Sequence, residues 1–193
     1  MDSLIAFDQE LFLFLNGLGS QTYDGFWMLI TNKATNFVVY ILFACYYLSK
    51  TNFKSLLTLF AILGILILFT DQGTNLFKNT FQRLRPCHEP ELEGLVRLVK
   101  SGCGGFYGYF SGHSSNSFAL AVFFSNLLFG YHKGIPFFFI ILSGLIAYSR
   151  IYIGVHYPLD VISGIAFGTI VGYFFYFLWN KYIQPLSWMR KSI

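Results

Sequence analysis

The chain has 193 residues, of which 55% are hydrophobic and 21% aromatic but only 11% charged, with a mean hydropathy of +0.56. A soluble domain carries about 25% charged residues, and here the apolar residues collect into long blocks, so water is excluded as the solvent for most of the surface. The formal net charge of +4, from 13 basic and 9 acidic residues, sits largely in short connectors. That placement fits orientation signals and headgroup contacts, not a nucleic-acid-binding face.

The expectation is an all-α, polytopic membrane helix bundle forming a single domain over residues 1–193. At the amino terminus, Asp8, Gln9 and Glu10 interrupt the apolar run and no positive start precedes it, so the stretch does not read as a cleaved signal. Leu4, Phe7, Leu11, Phe14 and Leu18 fall on one helical face, which predicts an amphipathic helix lying in the membrane interface. After Trp27 and the polar "TNKATN" come five apolar segments, 34–49, 55–77, 112–131, 136–153 and 158–180. Each approaches the roughly 20 residues a spanning helix needs. In the last, Gly164, Gly168 and Gly172 recur every four residues, a face suited to close packing within the bundle or to a homodimer contact. Trp27, Trp179 and Trp188 suit the interfacial aromatic belt.

Five spans place three connectors on one side: the stretch before the first span, the loop of residues 78–111 and the turn at 154–158. That side holds Lys33, Lys78, Arg83, Arg85, Arg97, Lys100 and Arg150; the other holds Lys50, Lys54, Lys133, Lys181, Arg190 and Lys191. Setting Lys78, Arg85 and Arg150 aside as site residues leaves four against six, which favours a cytoplasmic carboxyl terminus.

Charges at membrane depth are costly and need a partner, a watery cavity or a chemical task. In "KNTFQRLRP", Lys78 and Arg85 are seven residues apart, two helical turns, which fits either a shared face or snorkelling to headgroups. In "YFSGHSSNSFALA", Ser111, Gly112 and His113 open the third span, where free backbone N–H groups favour an anion, although serine and glycine are also ordinary caps. In "SRIYIGVHYPLD", Arg150 ends the fourth span, and Asp160 follows His156 by four residues. That spacing lets a carboxylate orient an imidazole, whether for nucleophilic work or as a buried structural pair. Connector parity brings all three stretches to one membrane face. Three cations, a helix amino terminus and two histidines suit a phosphate, since arginine binds its oxygens bidentately and fixed donors stabilise charge developing on them.

The arrangement Lys78-x6-Arg85-Pro86, Ser111-Gly112-His113 and Ser149-Arg150-x5-His156-x3-Asp160 resembles the three signature motifs of the type-2 phosphatidic acid phosphatase superfamily. These are integral membrane lipid phosphatases related to vanadium haloperoxidases. The order and separations agree. One position departs: Phe110 stands where the family usually has proline before Ser-Gly-His.

The resemblance implies that Lys78, Arg85, Ser111, Gly112 and Arg150 bind the phosphate, that His156 attacks phosphorus to give a phosphohistidine, that Asp160 orients His156, and that His113 protonates the leaving oxygen. It implies no metal and no cofactor, and His88 and His132 fall on opposite sides of the expected topology. The substrate expected is a lipid phosphate drawn from the bilayer. With short loops and no large soluble domain, undecaprenyl pyrophosphate is the first choice; phosphatidylglycerol phosphate, phosphatidic acid and lipid A are alternatives, as is a lipid phosphotransferase using the same intermediate. An anion transporter would not need His113, His156 and Asp160 at these spacings. The site is expected on the outer side of a bacterial cytoplasmic membrane. Asp71, on the stripe of Lys78, either partners the site or marks the wet end of its span. "HEPELEG" reads as a solvated loop, and Cys87 and Cys103 either pair there or remain free thiols.

Overall fold

The computed structural model describes residues 2–186, so Trp188, Arg190 and Lys191 lie outside the described residues. Its helices are α1 (Asp2–Gly17), α2 (Gln21–Thr31), α3 (Lys33–Lys50), α4 (Phe53–Phe81), α5 (Gly112–Leu128), α6 (Ile135–Tyr152) and α7 (Pro158–Leu178), the last running on into a π-helical turn over Trp179–Ile183. Local chemistry sets their starts. The side chains of Asn32 and Asn52 cap α3 and α4, Ser111 caps α5, and Pro158 occupies the first turn of α7, where no amide is needed.

Each expected span corresponds to a helix, with boundaries shifted by a few residues. By length and composition, α4, α6 and α7 with its π turn can each cross a membrane, and α2 with α3 forms a fourth candidate bent by 50°. The 17-residue α5 is shorter. It forms the centre of the bundle, packed mainly on α7 and α6, and buries Ser114, Ser115, Ser117, Ala119, Phe123 and Phe124. Its small residues are what allow that position. Lipid is as apolar as leucine, so helix association in a bilayer depends on close van der Waals fit, not on escape from water.

That fit decides the glycine face of α7. A Cβ at Gly164 would stand 2.6 Å from the carbonyl oxygen of Ser111, and one at Gly168 or Gly172 would collide with the carbonyls of Ser115 or Ala119. The face is filled by α5 of the same chain, so it is not open to a homodimer. Trp179 also departs from expectation: it is 1% exposed and packs against Tyr47 and Phe123 in the core, not in an interfacial belt.

The bundle has a large apolar cluster built from the end of α3, the start of α4, the far end of α5, the start of α6 and the end of α7. At the opposite end, α1 lies across α6 and α7. Leu4, Phe7, Phe14 and Leu18 face outward, as the amphipathic reading requires, while Phe12, Asp8 and Asn16 face in. Asn16 pins the helix by donating to the carbonyls of Arg97, Ile151 and Tyr152 and accepting from Arg97 N. The short helix α2 was not expected as a separate element. Trp27 on it stacks on Tyr152 and meets Tyr148 edge-on, while Asp24 pairs with Arg97 at 2.6 Å.

Candidate active site

The site forms at the α1 end, where the three sequence stretches converge. In the first, Lys78 sits in the last turn of α4, which closes on Gln82 in the left-handed conformation. The chain then runs into an antiparallel bridge between Leu84 and Tyr107. Arg85 is held from that bridge: its Nε donates to Tyr107 O at 3.3 Å and its Nη1 to Cys103 O at 3.2 Å. A disulfide joins Cys87 to Cys103, closing the loop around these contacts. Leu92 of the acidic "HEPELEG" stretch is buried against Phe12 and Tyr157, so this loop is anchored and not merely solvated.

In the second stretch, the Ser111 oxygen accepts from Ser114 N at 3.4 Å and Ser114 Oγ at 3.0 Å, fixing the first turn of α5. Ser111 N donates to Asp160 O at 2.9 Å, which ties this turn to α7. Gly112 lies where a Cβ would be 3.8 Å from Lys78 Nζ and 3.6 Å from Thr74 Oγ1, so the lysine amine rests against the amino terminus of α5. His113, half-buried in the same turn, lies within the fields of Arg150, His156, Lys33 and Lys100. Phe110 is 2% exposed and packs on Phe77 and Phe167, so the residue replacing the expected proline wedges between α4 and α7.

The third stretch is a tight turn. Gly154 takes φ +84°, and a Cβ there would stand 2.7 Å from Arg97 O, so both conformation and space require glycine. The turn closes on Arg150, whose carbonyl accepts from Val155 N and His156 N. Arg150 is 4% exposed and its Nη1 donates to Thr31 Oγ1 at 2.6 Å, while its Nε has no protein partner. Asp160 Oδ2 accepts from Tyr157 N at 3.1 Å and faces His156 Nδ1 at 3.3 Å. With the proton assigned to Nδ1, the lone pair of His156 resides on Nε2.

The eight sequence-derived candidates, Lys78, Arg85, Ser111, Gly112, His113, Arg150, His156 and Asp160, therefore lie at one end of the bundle. Burial, and then the fields of Arg85, Arg150 and Lys78, hold the His156 imidazole well below the usual histidine range. Burial and those fields favour the neutral imidazole, the form suited to attack on an anionic phosphate. Asp71 is exposed and accepts from Asn116 Nδ2 at 2.8 Å, while its charge reaches Lys78. His88 lies on Phe106 and His132 at the far end accepts from Gly134 N. Among the described residues, no three His, Cys, Asp or Glu side chains gather as a metal-binding set.

Several contributors escaped the sequence reading. Gly108 packs its backbone onto the pair, since a Cβ there would lie 3.1 Å from Asp160 Oδ2 and 3.6 Å from His156 Nδ1. Thr31 supports Arg150, and Arg83 contacts Asp160. The glycine offered the one available signal, because it follows two aromatic residues in a loop rich in glycine.

Comparison with known proteins agrees with this geometry. Residues 55–184 match the model of the PAP2 superfamily. The chain is 37% identical to a lipid A 4′-phosphatase of Porphyromonas gingivalis, over 100% of this chain and 80% of that one, and 32% identical to a lipid A 4′-phosphatase of Bacteroides thetaiotaomicron, over 97% and 83%. It is 28% identical to an undecaprenyl-diphosphatase of Sulfolobus acidocaldarius, over 88% and 77%. In fold it resembles the transmembrane PAP2-type phosphatidylglycerolphosphate phosphatase of Bacillus subtilis, with a TM-score of 0.75 at 15% identity, covering 96% of this chain and 90% of that one. With three motif stretches converging on one buried histidine, and a family match over most of its spans, this chain belongs to the PAP2 superfamily of membrane phosphatases.

Proposed function

We propose that the protein removes a phosphate monoester from lipid A, and that the 4′-phosphate is the group removed. The observation that carries the reading of the reaction is the buried His156, its Nδ1 3.3 Å from Asp160 Oδ2, in the field of Arg85, Arg150 and Lys78. What favours lipid A over undecaprenyl pyrophosphate is the similarity to two lipid A 4′-phosphatases over nearly the whole chain, at higher identity than to the undecaprenyl-diphosphatase. Short loops alone do not separate these lipids.

In the proposed reaction, Lys78, Arg85, Arg150, the Ser111 hydroxyl and the Gly112 amide hold the phosphate oxygens. His156 Nε2 attacks phosphorus, a P–N bond forms, and the P–O bond to the lipid breaks. His113 gives its proton to the departing lipid oxygen. Water then attacks the phosphohistidine while His113 takes up a proton; inorganic phosphate leaves and His156 is restored. Asp160 keeps Nδ1 protonated and stabilises the cationic intermediate. The fixed cations offset charge developing on the phosphoryl oxygens.

The site opens to the outer side of a bacterial cytoplasmic membrane. Two observations support that side. A disulfide beside the site suits an oxidising compartment. Apart from Lys78, Arg85 and Arg150, the basic residues number four on the site side against six on the other, a bias toward a cytoplasmic carboxyl terminus.

The test is phosphate release by detergent-purified protein, in EDTA throughout, from lipid A, undecaprenyl pyrophosphate, phosphatidylglycerol phosphate and phosphatidic acid, with His156→Ala alongside. The expected result is fastest release from lipid A, lost in the variant, with mass spectrometry locating the missing phosphate at the 4′ position. Faster release from another lipid would replace the substrate. Equal release by the variant would overturn the phosphohistidine chemistry.

A further inference from the structure

Arg83 lies between Lys78 and Arg85 but has no place among the cations that hold phosphate in the proposed reaction. Its guanidinium is used in three directions. Nη2 donates to Asp8 Oδ2 at 2.6 Å, Nη1 donates to Asp160 Oδ1 at 3.2 Å, and Cζ stands 4.0 Å from the centre of the Tyr157 ring. Asp8 comes from α1, far away in sequence, and its second oxygen accepts from Leu159 N at 2.9 Å in the first turn of α7. Both carboxylate side chains are fully buried, with 0% exposure, and the arginine side chain is 21% exposed.

A buried carboxylate is expensive unless its lone pairs are occupied and its charge is opposed. Asp160 meets that requirement in a way that also fixes its plane. Oδ2 takes Tyr157 N and His156 Nδ1, and Oδ1 takes Arg83. Without the contact at Oδ1, the carboxylate could rotate about its terminal torsion, which is broad for aspartate. Arg83 in turn cannot swing away, because Asp8 holds its other nitrogen and Tyr157 lies against its face. A planar fork with fixed donors can join two carboxylates in this way, whereas an ammonium on a flexible stem cannot.

We propose that Arg83 and Asp8 are positioning residues for phosphate-ester hydrolysis, the pair locking the Asp160 carboxylate so that Oδ2 faces His156 Nδ1. The amino-terminal helix is then part of the catalytic apparatus, although Asp8 lies outside residues 55–184 of the family match. This inference rests on the His156–Asp160 chemistry proposed above.

The experiment is a double-mutant cycle on lipid A, or on the fastest substrate of the panel described above, with purified full-length protein. Arg83→Gln should lower kcat by roughly tenfold to a hundredfold, as expected when a reacting group loses its alignment, with KM and vanadate inhibition within about twofold of wild type. Arg83→Lys should recover little of the loss. Asp8→Asn, which keeps an acceptor for Leu159 N, should lower kcat by about threefold to tenfold, since it weakens the ion pair without removing the arginine. In an Asp160→Asn background, Arg83→Gln should cost nothing more, because the carboxylate through which it acts is gone. If Arg83→Gln yields too little folded protein, Asp8→Asn on the same background completes the cycle. Losses that multiply, or a raised KM with unchanged kcat, would overturn the positioning role. If His156→Ala and Asp160→Asn themselves keep full turnover, the underlying reaction fails instead, and the two failures are told apart within one data set.

Discussion

The two ends of the bundle are held by different forces. At the end away from the site, Phe139 lies within 6 Å of Tyr40, Phe43 and Phe124 by ring centroids, at 5.8, 4.5 and 5.5 Å, and Phe123 and Trp179 fill the space beside them. At the site end, Asp8, Asn16, Arg83, Arg97, Arg150 and Asp160 are held by individual hydrogen bonds and ion pairs between elements distant in sequence. Many weak contacts share the load in the apolar end, so removing one costs stability in proportion to the volume lost. In the polar end each group has a few partners of fixed geometry, so one loss can disable the reaction while the fold survives.

The sharpest way to test that contrast is to compare one residue from each end. His156→Ala should lower turnover at least about a thousandfold, as for removal of a nucleophile, with the thermal midpoint in detergent changed little. Gly168→Leu should come next, because its side chain would enter the space of the Ser115 carbonyl and force α7 from α5. The expected outcome is loss of monodisperse protein on size-exclusion chromatography, with activity falling in step with the folded fraction. Phe139→Ala should destabilise the protein by about 3–5 kcal/mol, read by thermal or denaturant unfolding, yet leave kcat per folded molecule within twofold. If kcat fell sharply, the two ends would be coupled more tightly than their separate packing implies.

Two smaller effects probe the site end alone. Reduction of the Cys87–Cys103 bond, or Cys87→Ser, should loosen the loop whose Cys103 carbonyl holds Arg85. A roughly tenfold loss in kcat/KM is expected from the displaced cation, and the Arg85→Ala variant should be insensitive to reductant. For pH, the sign follows from His156, whose folded value is depressed below the usual histidine value by burial and by Arg85, Arg150 and Lys78. Below about pH 6.5 the unfolded histidine takes up a proton that the folded one refuses. Stability should therefore fall as pH drops through that value, and His156→Gln should lessen the slope of the thermal midpoint against pH.

The sequence by itself determined the class of molecule, the approximate limits of the helices and the eight candidate site residues. Apolar blocks near bilayer length set the spans, and the residues of the motifs are close enough in sequence for helical spacing to place them. His156 and Asp160 are one turn apart, and connector parity could be counted without knowing any contact. Sequence reading also placed the outward stripe of α1, because a 3.6-residue period is a local property.

What it could not decide depends on contacts between distant segments. Asp8 read as an interruption in an apolar run and Arg83 as one more basic residue near a span end; their value comes from meeting Asp160 across α1, the loop and α7. The glycine stripe of α7 announced close packing but not its partner, which proved to be the small-residue face of α5. Trp179 followed from composition as a belt residue, yet a π-helical turn buries it beside Tyr47 and Phe123. In each case the local pattern fixed which surface a residue occupies on its own helix, and only the packing of the helices determined what that surface meets.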